Sequence, residues 1–142
     1  MTDETLERHR TRPPTPTTLW PTLTYRDARA AIRFLTEALG FETTALYTGE
    51  TEDEVVHAEL RRPDGAGIML GSIRQDSVIC ALPPGTGSVY VVTDEPDAAY
   101  ARATAAGAVV VQGLEDTDYG SRGFTVRDPE GVFWSFGTYA GA

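Results

Sequence analysis

Apolar and polar positions along this chain repeat with two different periods, and the switches between them divide it into elements. Leu19 to Tyr25 alternates as a strand does, with successive side chains on opposite faces. Asp27 then sits in a helix-capping place ahead of Ala28, Ala31, Ile32, Leu35 and Leu39, which follow the 3.6-residue period, and Gly40 supplies a left-handed stop. Phe41 to Tyr47 predicts a second strand, and residues 48–53 an acidic turn. In the next run Val56, Ala58 and Leu60 point one way while His57, Glu59 and Arg61 point the other. Pro63-Asp64-Gly65 turns the chain into a fourth strand, Ile68 to Ser72.

The same order then returns. Ser88 to Thr93 predicts a strand, and Asp94 a helix cap with Asp97 in the reciprocal capping-box place. Ala99, Ala103 and Ala106 form a narrow face that can sit close to a sheet, and Val109 to Leu114, Gly123 to Arg127 and Val132 to Thr138 predict three more strands. The helix start and stop are displaced by 67 positions, from Asp27 and Gly40 to Asp94 and Gly107, while Pro63-Asp64-Gly65 recurs 66 positions on as Pro129-Glu130-Gly131. Three agreeing landmarks identify an internal duplication. The expected fold is α+β: two tandem βαβββ modules, residues 19–72 and 88–139, joined by a linker at 73–87 and forming curved mixed sheets with a cleft. Residues 19–142 then make one domain, and residues 1–18, rich in Thr, Arg, Glu and Pro, a flexible tail that carries His9.

Composition narrows the chemistry. With 142 residues and 41% hydrophobic side chains the chain can build a core without crosslinks. All 12 basic residues are arginine, which excludes Schiff-base catalysis on a lysine. The net charge of −9 argues against a nucleic-acid surface and leaves room for a cationic ligand, although acidity also serves solubility. The single cysteine, Cys80, lies in the apolar stretch Val78 to Leu82 and is expected to be a small buried residue. Neither a signal-peptide pattern nor an apolar run of about 18 residues is present, so no membrane association and a cytoplasmic location are expected.

The continuous stretch Tyr119 to Phe136, with its Asp128-Pro129-Glu130-Gly131 turn and aromatic strand, and the helix from Asp27 that ends in Leu39-Gly40-Phe41 resemble the vicinal oxygen chelate superfamily. That superfamily contains glyoxalases, extradiol dioxygenases and bleomycin-resistance proteins, and the resemblance covers residues 19–139. It implies a homodimer. It also implies, in the metalloenzymes, one His or Glu on the first and last strand of each module. Here those places fall at Trp20 or Thr22, between Met69 and Gly71, at Gly87 or Ser88, and at Ser135. None of these side chains is a good ligand for a divalent ion, so no metal and no other cofactor is expected.

If Ser135 faces the cleft, alternation puts Phe133 and Gly137 beside it and sends Trp134 into the core. Trp20, Thr22 and Thr24, and Ser88, Tyr90 and Val92, are then expected on the same cleft, with Trp20, Tyr90 and Phe133 as aromatic walls suited to a flat or cationic compound. Tyr119 and Arg122 flank a glycine-bearing loop placed to cover it; Arg122 either binds a ligand carboxylate or pairs with Asp116 or Asp118. The reading is a metal-free small-molecule binding protein. The alternative is an enzyme, with a displaced metal site or with His57 and Glu59, two apart on a strand, as a base and its neighbour.

Overall fold

A computed structural model describes residues 17–142, so the tail expected at residues 1–18 lies, apart from Thr17 and Thr18, outside the described residues, as does His9. The elements run β1 (Thr22–Tyr25), α1 (Ala28–Glu37), β2 (Glu42–Thr48), β3 (Val55–Arg61), β4 (Gly67–Ser72), β5 (Ser88–Val92), α2 (Pro96–Ala105), β6 (Val109–Asp116), β7 (Arg122–Arg127) and β8 (Phe133–Gly137). They form two four-stranded mixed sheets with the same topology. Sheet A has the order β1-β4-β3-β2 and sheet B the order β5-β8-β7-β6, the first pair of each being parallel and the others antiparallel. The two βαβββ modules are thus present as the repeat implied.

Each helix begins where its first-turn chemistry allows. Asp27 caps α1 by accepting a hydrogen bond from the Ala30 amide at 3.0 Å, and Gly40 leaves the helix with φ +79°. In the second module the cap moves one residue past the expected Asp94. Pro96 occupies the first turn with its preset φ, Glu95 becomes the N-cap without a side-chain cap bond, and Thr93 Oγ1 accepts from the Glu95 amide instead. Asp97 forms no capping box, because its carboxylate is turned to Arg122. In β3, Ala58 and Leu60 are buried as expected, but Val55 is buried in place of Val56, since a bulge between Tyr47 and Thr48 shifts the register there.

One continuous core joins the helix-side faces of both sheets, with Tyr25, Leu35 and Leu60 of the first module against Val126, Trp134 and Phe136 of the second. Trp134 is fully buried and meets the Phe41 ring edge-on at 5.7 Å. Polar contacts pin the same junction. Tyr25 donates to Asp128 Oδ2 at 2.6 Å, and the Glu130 carboxylate accepts from the Arg26 and Asp27 amides at 2.7 Å each. The family-like turn at 128–131 is therefore the fastener between modules. With the helix sides joined, the opposite face of each sheet is left open. Among the described residues no helix is long and apolar enough to cross a membrane.

Candidate functional site

Strand register decides which side chains share the open face of sheet A. Thr22 lies beside Met69, which lies beside Glu59, and the next row brings Thr24, Gly71, His57 and Tyr47 together. The linker folds back over one end of this face, where Thr24 Oγ1 donates to the Leu82 carbonyl at 2.9 Å. Between roof and sheet lies a cavity of about 230 Å³ bordered by Thr22, Thr24, His57, Met69, Cys80 and Leu82. At the other end Trp20 lies across Gly67, where a Cβ would stand 2.5 Å from the indole ring, and the Arg61 guanidinium stacks 4.6 Å from its centroid. Trp20 is thus already packed by its own chain.

His57 and Glu59 are held as a pair, Nε2 to Oε2 at 2.9 Å, and the Tyr47 ring lies 6.1 Å from the imidazole. Both are partly exposed, with side chains 38% and 29% accessible. Cys80 departs from expectation. Residues 77–81 form a turn closed by the Ala81 amide on the Ser77 carbonyl, so no neighbouring strand presses the thiol into the core, and it borders the cavity half-buried. Arg74 donates to its sulfur at 3.4 Å, and this bond, helped by Ser77, holds the thiol below its ordinary range. The signal in the sequence was the apolar run Ile79 to Leu82 inside an otherwise polar, Pro-rich linker, which marks a segment with a surface to cover.

On sheet B the open face carries Ser88 beside Phe133, Tyr90 beside Ser135, and Val92 beside Gly137. Ser135 Oγ and Thr125 Oγ1 are 2.8 Å apart and satisfy one another. The Tyr90 hydroxyl reaches the Tyr139 carbonyl at 2.8 Å, and the Tyr119 ring meets Tyr139 edge-on at 5.9 Å. Tyr90, Phe133 and Tyr119 are exposed. Arg122 pairs with Asp97 at 2.8 Å and with Asp116 at 3.2 Å, so it is neutralised on both sides and its hydrogen bond holds Asp97 below the usual carboxylate range. Asp116 is one of the two partners the sequence predicts for Arg122; Asp97 is not, because the capping-box pattern assigns it to the helix start.

The ten candidate residues therefore fall into two groups within one chain. Thr22, His57 and Glu59 belong to sheet A, with Trp20 just ahead of β1, while Ser88, Tyr90, Phe133, Ser135, Tyr119 and Arg122 belong to sheet B and its flanking loop. Neither the cavity under the linker nor the one beside Tyr90 holds both groups. Tyr90 also borders a cavity between the sheets, of about 580 Å³, with Leu19, Pro21 and Phe41. Register further places Tyr90, not Ser88, beside Ser135, as Thr22 lies beside Met69. These four positions present two hydroxyls, a phenol and a thioether, a donor set that does not fit a tightly held divalent ion.

Comparison with known proteins agrees with this geometry. The model of the Glyoxalase/Bleomycin resistance protein/Dioxygenase superfamily matches residues 17–136. An uncharacterized protein of Mycobacterium bovis is 33% identical over 129 residues, covering 84% of this chain and 81% of its own. Among solved structures, TioX from Micromonospora sp. ML1 is similar with a TM-score of 0.73 and 30% identity, over 85% of this chain and 97% of TioX. A glyoxalase/bleomycin resistance protein from Streptomyces sp. CB03234 shares the fold, with a TM-score of 0.63 and 22% identity over 81% of this chain and 94% of its own. The chain belongs to the Glyoxalase/Bleomycin resistance protein/Dioxygenase superfamily.

Proposed function

We propose that this chain is a small-molecule binding protein that sequesters a cationic or aromatic compound, working in the cytoplasm and without a metal ion. The observation that carries the reading is the character of the two open faces. Where a metalloenzyme would array imidazoles and carboxylates, Thr22, Met69, Tyr90 and Ser135 offer hydroxyls and apolar contact, with Phe133 and Tyr90 exposed for stacking. A net charge of −9 favours a cationic guest. Each face is open on one side, and a second copy of the chain, laying its sheet B over sheet A of the first, would turn two shallow faces into two clefts with aromatic walls.

Equilibrium dialysis at micromolar protein against planar cationic dyes and cationic aromatic antibiotics tests this. Retention is expected, and replacing Tyr90 and Phe133 together by alanine weakens it about tenfold or more, as loss of two stacking contacts should. Retention of none of the compounds removes the reading. A second reading, an enzyme using His57 as general base, is favoured by the 2.9 Å pair with Glu59 beside the cavity. His57→Ala separates the two, since it would abolish turnover of a substrate while the stacking of a guest on Tyr90 and Phe133 persists.

A further inference from the structure

We propose that the crevice between Arg62 and Arg102, on the junction of the two modules and away from both open faces, is a binding site for a phosphate group. The two arginines come from different modules, Arg62 from the turn after β3 and Arg102 from the last turn of α2. A Cβ built on Gly40 would stand 3.4 Å from Nη1 of each, so both guanidinium groups converge on one point. They border a cavity of about 250 Å³ with Pro63, Thr93, Ala98 and Phe136. About 10–15 Å³ of such space already holds one water, so a phosphate fits with room to spare.

Part of each guanidinium is already spent on the carbonyls that end α1. Arg62 Nη1 donates to Leu39, while Arg102 Nε and Nη2 donate to Glu37 and Thr36 at 3.1 Å each. Donors remain. Arg62 Nε is buried without a hydrogen bond, its nearest carboxylate, on Asp64, being 3.6 Å away. Arg102 has no carboxylate within 4.0 Å among the described residues, and its Nη1 makes no hydrogen bond there. The Arg62 guanidinium is held over the Phe41 and Phe136 rings at 5.6 and 5.3 Å, which fixes its plane. Glu95 is the one acid lining the cavity, and in a chain of net charge −9 only such a local pair of cations can draw an anion in.

Because the two cations sit on different modules, an anion bound between them stabilises the junction, and thermal unfolding reads it directly. Inorganic phosphate, titrated at constant ionic strength, is expected to raise Tm in a saturable way, with calorimetry giving about one phosphate per chain and acetate giving a smaller shift. Arg102→Gln should weaken phosphate binding about tenfold or more, as loss of a charge-assisted pair implies. Arg33→Gln, on the exposed side of α1, should leave it unchanged. Ala98→Glu is the second variant: it adds a carboxylate at the cavity rim on an exposed helical position, touches none of the arginine–carbonyl bonds, and should abolish the phosphate shift without affecting dye retention by the sheet faces. No saturable shift in the unaltered protein, an acetate shift equal to that of phosphate, or an undiminished shift in Ala98→Glu would each overturn the assignment.

Discussion

Asp128 accepts five hydrogen bonds on two oxygens. Tyr25 and Trp134 donate to Oδ2 at 2.6 and 3.1 Å, and the amides of Glu130, Gly131 and Val132 donate to Oδ1 at 2.9 to 3.1 Å. Asp128 is 4% exposed as a whole residue, so truncation leaves buried donors facing nothing. Asp128→Ala is expected to lower unfolding free energy in urea by about 3 kcal/mol or more, and Tyr25→Phe by about 1–2 kcal/mol. Tyr25 also makes the fold sensitive to alkali. Burial, then the adjacent Asp128 charge and its hydrogen bond, push the phenol well above its ordinary value of 10.0. A folded-state pKa raised above the unfolded one means stability is intact below the ordinary value and is lost as pH climbs past it, when only the unfolded chain can ionise. Tyr25→Phe should therefore flatten the decline in stability above pH ~10 in a urea series; an equal decline in both proteins would rule the phenol out as its source.

The two modules share a topology but not their devices at the element scale. Helix α1 is held by a side-chain cap and buries Ala28, Ala31 and Leu35, whereas α2 begins on a proline, has no side-chain cap bond and buries only Pro96 and Ala103. Asp27→Ala should thus cost about 1 kcal/mol, while Asp94→Ala should fall within about 0.5 kcal/mol of no effect. Chemical denaturation of both variants checks the contrast, and equal losses would return Asp94 to the capping role that sequence pattern assigns it. A cap is legible when the residues after it are ordinary helix formers; a proline two positions on moves the boundary, and pattern alone does not weigh the two signals.

For the whole molecule, the consequence of joining the modules by their helix sides is that the open face of each sheet looks outward. In the proposed dimer a second copy lays sheet B over sheet A, and sedimentation velocity should then report twice the 15.4 kDa of one chain at micromolar concentration. Tyr90→Ala, which removes an exposed ring from the face that the proposed dimer would cover, should shift the equilibrium toward the monomer and weaken dye retention together. Loss of retention with an unchanged dimer would mean that the ring contacts the guest and not the partner. A monomer at all concentrations would sink the paired-cleft arrangement.

By itself the sequence determined the parts that depend on periodicity and local chemistry. The 66- to 67-residue duplication, the strands, the glycine stops at Gly40 and Gly107, and the burial of Trp134 all follow from side-chain alternation and backbone freedom, which act over a few residues. Tertiary structure decided what depends on distant partners. Register set Tyr90 beside Ser135, a bulge exchanged Val55 for Val56, and the folded linker turned Cys80 from an expected core residue into a cavity wall. It also divided the candidate residues between two faces, and brought Arg62 and Arg102, forty positions apart, to one point. Nothing in the neighbourhood of either arginine marks the other. Their meeting is set by how two modules pack across a shared core, a property of the assembled chain and not of any segment of it.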